Sequence, residues 1–131
     1  DIGDFNLVNE LIQQYQVKKV MHFAASIIVS DSIRDPLNYY QNNVANSIVL
    51  LQACKKNAIE QFIFSSTAAV YSDTLSPYGQ SKLMVEKIIQ DSHINHVILR
   101  YFNVAGSDLK LRSGLIAKNA THLIKVIAEL V

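Results

Sequence analysis

The 131 residues suffice for one domain and no more. Half of them are apolar and 18% are charged, which excludes a disordered chain. Twelve basic residues stand against eleven acidic ones, for a net charge of +1 without a basic run, so nothing calls for nucleic acid or an anionic membrane surface as partner.

The segments alternate between helix-like and strand-like patterns, with no internal repeat. Phe5, Leu7, Val8, Leu11, Ile12 and Tyr15 recur at helical spacing, with Asp4 as the N-cap. Residues 19–23 form a short β-type run. Pro36 opens a second helix over residues 36–57, with Leu37, Tyr40, Val44, Ile48, Leu51 and Ala53 facing inward. Residues 62–64 are a compact apolar strand. Pro77 opens a third helix, with Leu83, Met84, Val85, Ile88 and Ile89 inside, and residues 96–100 form a third strand. Residues 119–131 are again helical. Short apolar strands separated by helices imply a parallel sheet covered on both faces. The right-handed crossover rule makes this an α/β, Rossmann-like, doubly wound layer. With three strands it is incomplete, and its two edges are vulnerable.

Cys54 is the only cysteine, which rules out an intrachain disulfide and argues against a cysteine-based zinc site; no metal is expected. No apolar span approaches 18 residues and residues 1–4 are no signal peptide, so the cytoplasm is the expected compartment. The four glycines, Gly3, Gly79, Gly106 and Gly114, cannot make a G-x-G-x-x-G turn or a P-loop.

Open parallel sheets bind ligands beyond the carboxyl ends of their strands. The residues there are Phe23-Ala24-Ala25-Ser26, Ser65-Ser66-Thr67-Ala68-Ala69 and Tyr101-Phe102-Asn103. Small side chains admit a flat cofactor, and hydroxyl and amide groups orient a polar substrate. Tyr78 and Lys82 follow at i and i+4 on one helix face. An ammonium near a phenol favours the phenolate, which suits Tyr78 to general-base work. A Tyr and a Lys four apart are common on surface helices. Their position behind a strand ending in Ser-Ser-Thr gives this pair its meaning.

Four stretches together resemble the UDP-glucose 4-epimerases, NAD-dependent enzymes of the extended short-chain dehydrogenase/reductase superfamily. They are His22-Phe23-Ala24-Ala25, Phe64-Ser65-Ser66-Thr67-Ala68-Ala69-Val70-Tyr71, Ser76-Pro77-Tyr78-Gly79-Gln80-Ser81-Lys82-Leu83-Met84-Val85-Glu86 and Leu99-Arg100-Tyr101-Phe102-Asn103-Val104-Ala105-Gly106. Pro36-Leu37-Asn38-Tyr39-Tyr40-Gln41-Asn42-Asn43-Val44 is also typical, so the resemblance spans essentially the whole chain. Related 4,6-dehydratases usually carry an acidic pair after the catalytic threonine, where this chain has Ala68-Ala69.

The resemblance implies NAD as cofactor and a UDP-hexose as substrate, interconverted between UDP-glucose and UDP-galactose by transient oxidation at sugar C4. It implies catalytic roles for three residues: Tyr78 as acid/base, Lys82 on the nicotinamide ribose, and Thr67 on the sugar 4-oxygen. Phe23, Ala24 and Ala25 would line the cofactor pocket, with Asn42, Ser65 and Tyr101 beside it and Asp1-Ile2 bordering the adenine. Asn103 would contact the nucleotide sugar, and His122 and Leu123 its phosphate or uracil. The chain is then a partial NAD-binding domain over 1–131, with 103–131 entering the substrate-binding region, and the full-length form is a homodimer.

Three features depart from the family's pattern. The N-terminal strand and glycine-rich phosphate loop are missing, as is most of the C-terminal substrate domain. The stretches between Tyr71 and Tyr78 and ahead of His96 are also much shorter than usual. The 131 residues alone are therefore expected to be inactive. Two alternatives stay open: a non-catalytic Rossmann remnant, or an epimerase acting on UDP-N-acetylglucosamine or a UDP-pentose. Other conspicuous residues have simpler readings. His22 reads as a hydrogen-bonded core histidine and Cys54 as inert core. Lys55-Lys56 complement the helix dipole. Tyr39-Tyr40 are packing residues, and Asn42-Asn43 are the more functional half of that stretch.

Overall fold

The computed structural model describes every residue except 73, 75, 111, 115–122 and 131. The chain divides into two compact units, Asp1–Arg100 and Tyr101–Val131. The elements of the first are α1 (Phe5–Gln14), β1 (Lys19–His22), α2 (Val29–Arg34), α3 (Pro36–Tyr40), a π-helical turn (Gln41–Ala45), α4 (Asn46–Lys56), β2 (Gln61–Thr67), a 3-10 turn (Ala68–Tyr71) and α5 (Pro77–Ser92). β3 (His96–Tyr101) ends on the first residue of the second unit, which also holds α6 (Leu123–Leu130).

The strands form one three-stranded parallel sheet in the order β1-β2-β3. Lys19 aligns with Gln61 and His22 with Phe64. Phe62 donates its amide to the Asn95 carbonyl at 2.9 Å where β3 begins. Consecutive strands joined by right-handed crossovers place both linking helices on the same side. The burial pattern agrees. Phe62 and Phe64 of β2 meet Leu50, Leu51 and Cys54 of α4, Val85 and Ile89 of α5, and Ile12 of α1 in one core. On the other face Met21, Val97 and Leu99 are exposed, so the described residues build one wound half of a Rossmann-like layer rather than a sheet covered on both sides.

Local chemistry explains the helix starts. Asp4 accepts from the Leu7 amide at 3.0 Å, and Ser76 accepts from the Gly79 amide at 3.2 Å with Pro77 in the first turn. α5 stops at His93, whose left-handed backbone (φ 59°) closes the C-terminus.

The stretch expected as one helix over 36–57 is helical throughout but contains the π turn. The inward face is Tyr39, Asn43, Ser47, Leu50, Leu51, Ala53 and Cys54, so Leu51 and Ala53 lie inside as expected while Asn43 and Ser47 join them. Leu37, expected inside, is 78% exposed, and Ile48 is exposed as well. α2 was not anticipated. Its single buried residue is Ser32, bonded to the Val29 carbonyl at 2.6 Å, so apolar periodicity carries no trace of it. β2 runs on through Ser65, Ser66 and Thr67, which are strand residues rather than loop.

Candidate functional site

The carboxyl ends of β1 and β2 face the first turns of α5 and the π turn, and a buried polar network joins them. Asn43 is its centre. Its Oδ1 accepts from the Ser26 amide at 2.8 Å, and its Nδ2 donates to the Ser26 carbonyl at 3.0 Å and to Ser81 Oγ at 3.1 Å. Asn42 donates to Ser26 Oγ at 3.0 Å. Two consecutive amides of the π turn thus reach the same serine. Ser47 donates to the Asn43 carbonyl at 2.6 Å and meets His22 Nε2 at 2.8 Å. His22 is a packed histidine as expected. Burial, aided by the Lys82 ammonium, pushes its pKa down to about 4.

Lys82 is 3% exposed. Its Nζ donates to the Ser65 carbonyl at 2.8 Å and lies 4.9 Å from the centre of the Phe64 ring. Burial lowers its pKa to about 8. An ammonium has three donors, and the Ser65 carbonyl uses one. Thr67, half-buried where β2 ends, accepts from the Ala69 amide at 3.2 Å. That bond occupies a lone pair and leaves the hydroxyl hydrogen able to donate. Tyr78 is half-buried in the first turn of α5, one turn before Lys82, and its carbonyl accepts from Ser81 Oγ at 2.7 Å.

A second polar cluster lies one turn further along α5. Glu86 is buried and accepts from Ser66 Oγ. Arg100 donates to the same carboxylate through Nε at 3.0 Å and Nη2 at 2.6 Å. Burial works against the charged Glu86, but the bonds from Arg100 and Ser66 and the guanidinium charge outweigh it and lower its pKa. Arg100 also lies over the Tyr71 ring, 4.7 Å from its centre.

The remaining candidates are dispersed. Asp1 is exposed and caps the Gly3 amide at 2.8 Å, while Ile2 packs against the core. Phe23 and Ala24 are exposed after β1, and Ala25 is half-buried. Tyr101, Asn103 and Leu123 belong to the second unit; Asn103 and Leu123 are exposed there. His122 lies outside the described residues. Cys54 is buried, and burial raises its thiol pKa to about 11, which keeps it inert. Among the described residues no three His, Cys, Asp or Glu side chains gather as a metal site, and no helix is long and apolar enough to cross a membrane.

Sequence reasoning passed over Glu86 and Arg100, and left Ser81 and Ser47 without roles. A signal was present. Asn43 and Ser47, and Lys82 and Glu86, are polar pairs at i and i+4 on faces that otherwise point into the core. Polar residues there need buried partners.

A nicotinamide dinucleotide suits part of this arrangement. Lys82 has donors to spare, and Ala24 and Ala25 leave the carboxyl edge unobstructed. The pyrophosphate half of such a site needs a glycine-rich turn, and the 131 residues contain no G-x-G-x-x-G.

A parallel α/β layer with a Ser-Ser-Thr strand end facing a Tyr-x-x-x-Lys helix defines a nucleotide-cofactor-binding class of protein. The chain belongs to the NAD dependent epimerase/dehydratase family, whose profile matches residues 1–130. It is 45% identical to the UDP-glucose 4-epimerase of Azospirillum brasilense, over 98% of this chain and 42% of that protein. That alignment spans 146 positions, more than the 131 residues present here, so the relative carries interior residues this chain lacks. Among solved structures, the UDP-glucose 4-epimerase of Brucella ovis in complex with NAD is 35% identical with a TM-score of 0.87, over 95% of this chain and 43% of that one. The UDP-Glc/GlcNAc 4-epimerase of Campylobacter jejuni is 41% identical with a TM-score of 0.79, over 98% and 45%. The chain therefore spans less than half the length of these relatives.

Proposed function

We propose that these residues form the catalytic part of an NAD-dependent UDP-glucose 4-epimerase, acting in the cytoplasm, in a protein that functions as a homodimer. The observation that carries the reading is Lys82. A cation 3% exposed, whose hydrogen-bond partner among the described residues is a carbonyl at 2.8 Å and whose other neighbour is the Phe64 ring, costs stability. A structural helix position gains nothing from it, whereas a ribose-binding cation is needed there. A non-catalytic remnant would have no use for that cost, which weighs against the remnant reading.

Bound NAD would supply reversible hydride exchange at sugar C4. The protein's own groups do the rest. Tyr78 Oη takes the proton of the sugar 4-hydroxyl and gives it back to the 4-oxygen once the ketone has turned its other face to the hydride. Thr67 donates its hydroxyl hydrogen to the 4-oxygen, with its lone pair already held by the Ala69 amide. Lys82, one helical turn after Tyr78, would bind the ribose hydroxyls. Asn42 and Ser65 border the cofactor, with Phe23, Ala24 and Ala25 lining its pocket, Tyr101 beside it, and Asp1 and Ile2 at the adenine. Asn103, His122 and Leu123 belong to the nucleotide-sugar side.

UDP-N-acetylglucosamine is a second substrate to consider, because the Campylobacter jejuni relative is described as acting on both UDP-Glc and UDP-GlcNAc. The test follows UDP-galactose and UDP-N-acetylgalactosamine separately, with a polypeptide that carries these residues behind a glycine-rich phosphate loop. Conversion of UDP-galactose to UDP-glucose without net NADH supports the reading. No conversion of either sugar, with NAD bound, rejects it. The 131 residues alone are expected to hold NAD weakly and not to turn over.

A further inference from the structure

We propose that Arg100 and Tyr71 are positioning residues for Thr67, a role that rests on the catalytic reading above. Thr67 is tethered on both sides to one buried carboxylate. Ser66, its predecessor on β2, donates to Glu86. The 3-10 turn Ala68–Tyr71 follows Thr67 directly, and its last residue presents its ring to Arg100 at 4.7 Å. Arg100 in turn grips Glu86 with two hydrogen bonds, 3.0 and 2.6 Å long. Glu86 stands one turn beyond Lys82 and two beyond Tyr78 on α5. The strand end that carries Thr67 and the helix that carries Tyr78 and Lys82 are thus referenced to a single ion pair.

The turn after Thr67 is only partly buried. Its internal bonds are Ala69 to Thr67 Oγ1 at 3.2 Å and Ser72 to the Ala69 carbonyl at 3.3 Å. Fixing Tyr71 therefore fixes the turn, and the Ala69 amide then holds the Thr67 oxygen in one orientation. Arginine suits the task because its planar group can fork onto a carboxylate and stack on a ring at once.

Tyr71 is exposed, so its substitution leaves the core intact. Two variants grade the contact: Tyr71→Leu removes the aromatic face and the phenol that is hydrogen-bonded to Arg100, and Tyr71→Phe keeps the face but loses that hydrogen bond. In the 131-residue chain, hydrogen exchange at the Ala69 amide reports directly on the bond to Thr67. Tyr71→Leu is expected to speed that exchange about 3- to 30-fold, the range of a partly exposed cation–π contact, and Tyr71→Phe to restore it in part, since the ring stays and the hydrogen bond to Arg100 is lost. In the polypeptide with a complete cofactor site, Tyr71→Leu is expected to lower kcat by a similar factor with KM for UDP-galactose and bound NAD unchanged, and Tyr71→Phe to recover part of it. Unchanged exchange and kcat in Tyr71→Leu, a Tyr71→Phe effect larger than that of Tyr71→Leu, or a loss carried by KM would overturn the proposal. If the unsubstituted polypeptide does not epimerise at all, the catalytic reading fails, and the exchange measurement alone decides whether the strut exists.

Discussion

Asn43 and Ser81 lie 38 residues apart in sequence and are joined by a buried hydrogen bond of 3.1 Å. The same amide holds the backbone of Ser26 in both directions. Ser81 sits between Tyr78 and Lys82 on α5, so one side chain latches the loop after β1 to the helix that carries the two assigned catalytic groups.

Removing that latch should be costly. Asn43→Ala leaves the Ser26 amide and carbonyl without their partners at a partly buried position, and each stranded polar group costs about 1–3 kcal/mol. A loss of about 2–4 kcal/mol is expected from urea unfolding of the 131-residue chain. A loss under about 0.5 kcal/mol, the size of an ordinary surface change, would mean that water takes over the amide's role.

His22 predicts a pH dependence. Its pKa falls from 6.5 to about 4 on folding, chiefly through burial and secondarily through the Lys82 charge. Between those values the unfolded chain binds a proton that the folded chain refuses. The contribution is therefore fully present above pH 6.5 and is lost as the pH falls towards 4, by on the order of 3 kcal/mol. Unfolding free energy measured against pH should show this slope in the unsubstituted chain and lose it in His22→Gln. Parallel curves for the two chains would contradict the assignment.

Lys82 works with the opposite economy of function and stability. Burial lowers its pKa from 10.5 to about 8, so at neutral pH the folded state carries a charge it would shed more readily than the unfolded state. Stability should rise as pH goes from 8 to 10.5, where the folded chain releases the proton first. Lys82→Met is expected to be more stable than the unsubstituted chain at pH 7, by about 1–2 kcal/mol, with the gap closing at high pH. In the polypeptide with a complete cofactor site, the same variant should retain less NAD. Reduced stability at pH 7 would show that the bond to the Ser65 carbonyl outweighs the buried charge.

Much of this was legible from the residues. Asp4 and Ser76 announce helix starts through their capping oxygens, Pro36 and Pro77 mark first turns, and the apolar runs around Phe62–Phe64 and Val97–Leu99 mark strands. The inner face of residues 36–57 was legible only in part: Leu51 and Ala53 lie inside as read, but apolar spacing gives no notice of Asn43 and Ser47, which are polar and buried. α2 was hidden because its buried residue is a serine. The ion pair of Glu86 with Arg100 joins residues whose encounter depends on β3 lying beside β2, which local pattern does not report. The motif around Thr67, Tyr78 and Lys82 was readable because its residue types and spacing match those of the epimerase family.

The central claim is that Tyr78 moves the proton of the sugar 4-hydroxyl. It is tested most directly by Tyr78→Phe in the polypeptide with a complete cofactor site, measuring UDP-galactose to UDP-glucose conversion together with bound NAD. The ring still fills its space, so NAD should be retained. Conversion should fall by about 10²–10⁴-fold or more, as for other general acid–base groups. A loss of less than about tenfold with NAD retained would show that some other group takes the proton, and the account of the site would not stand.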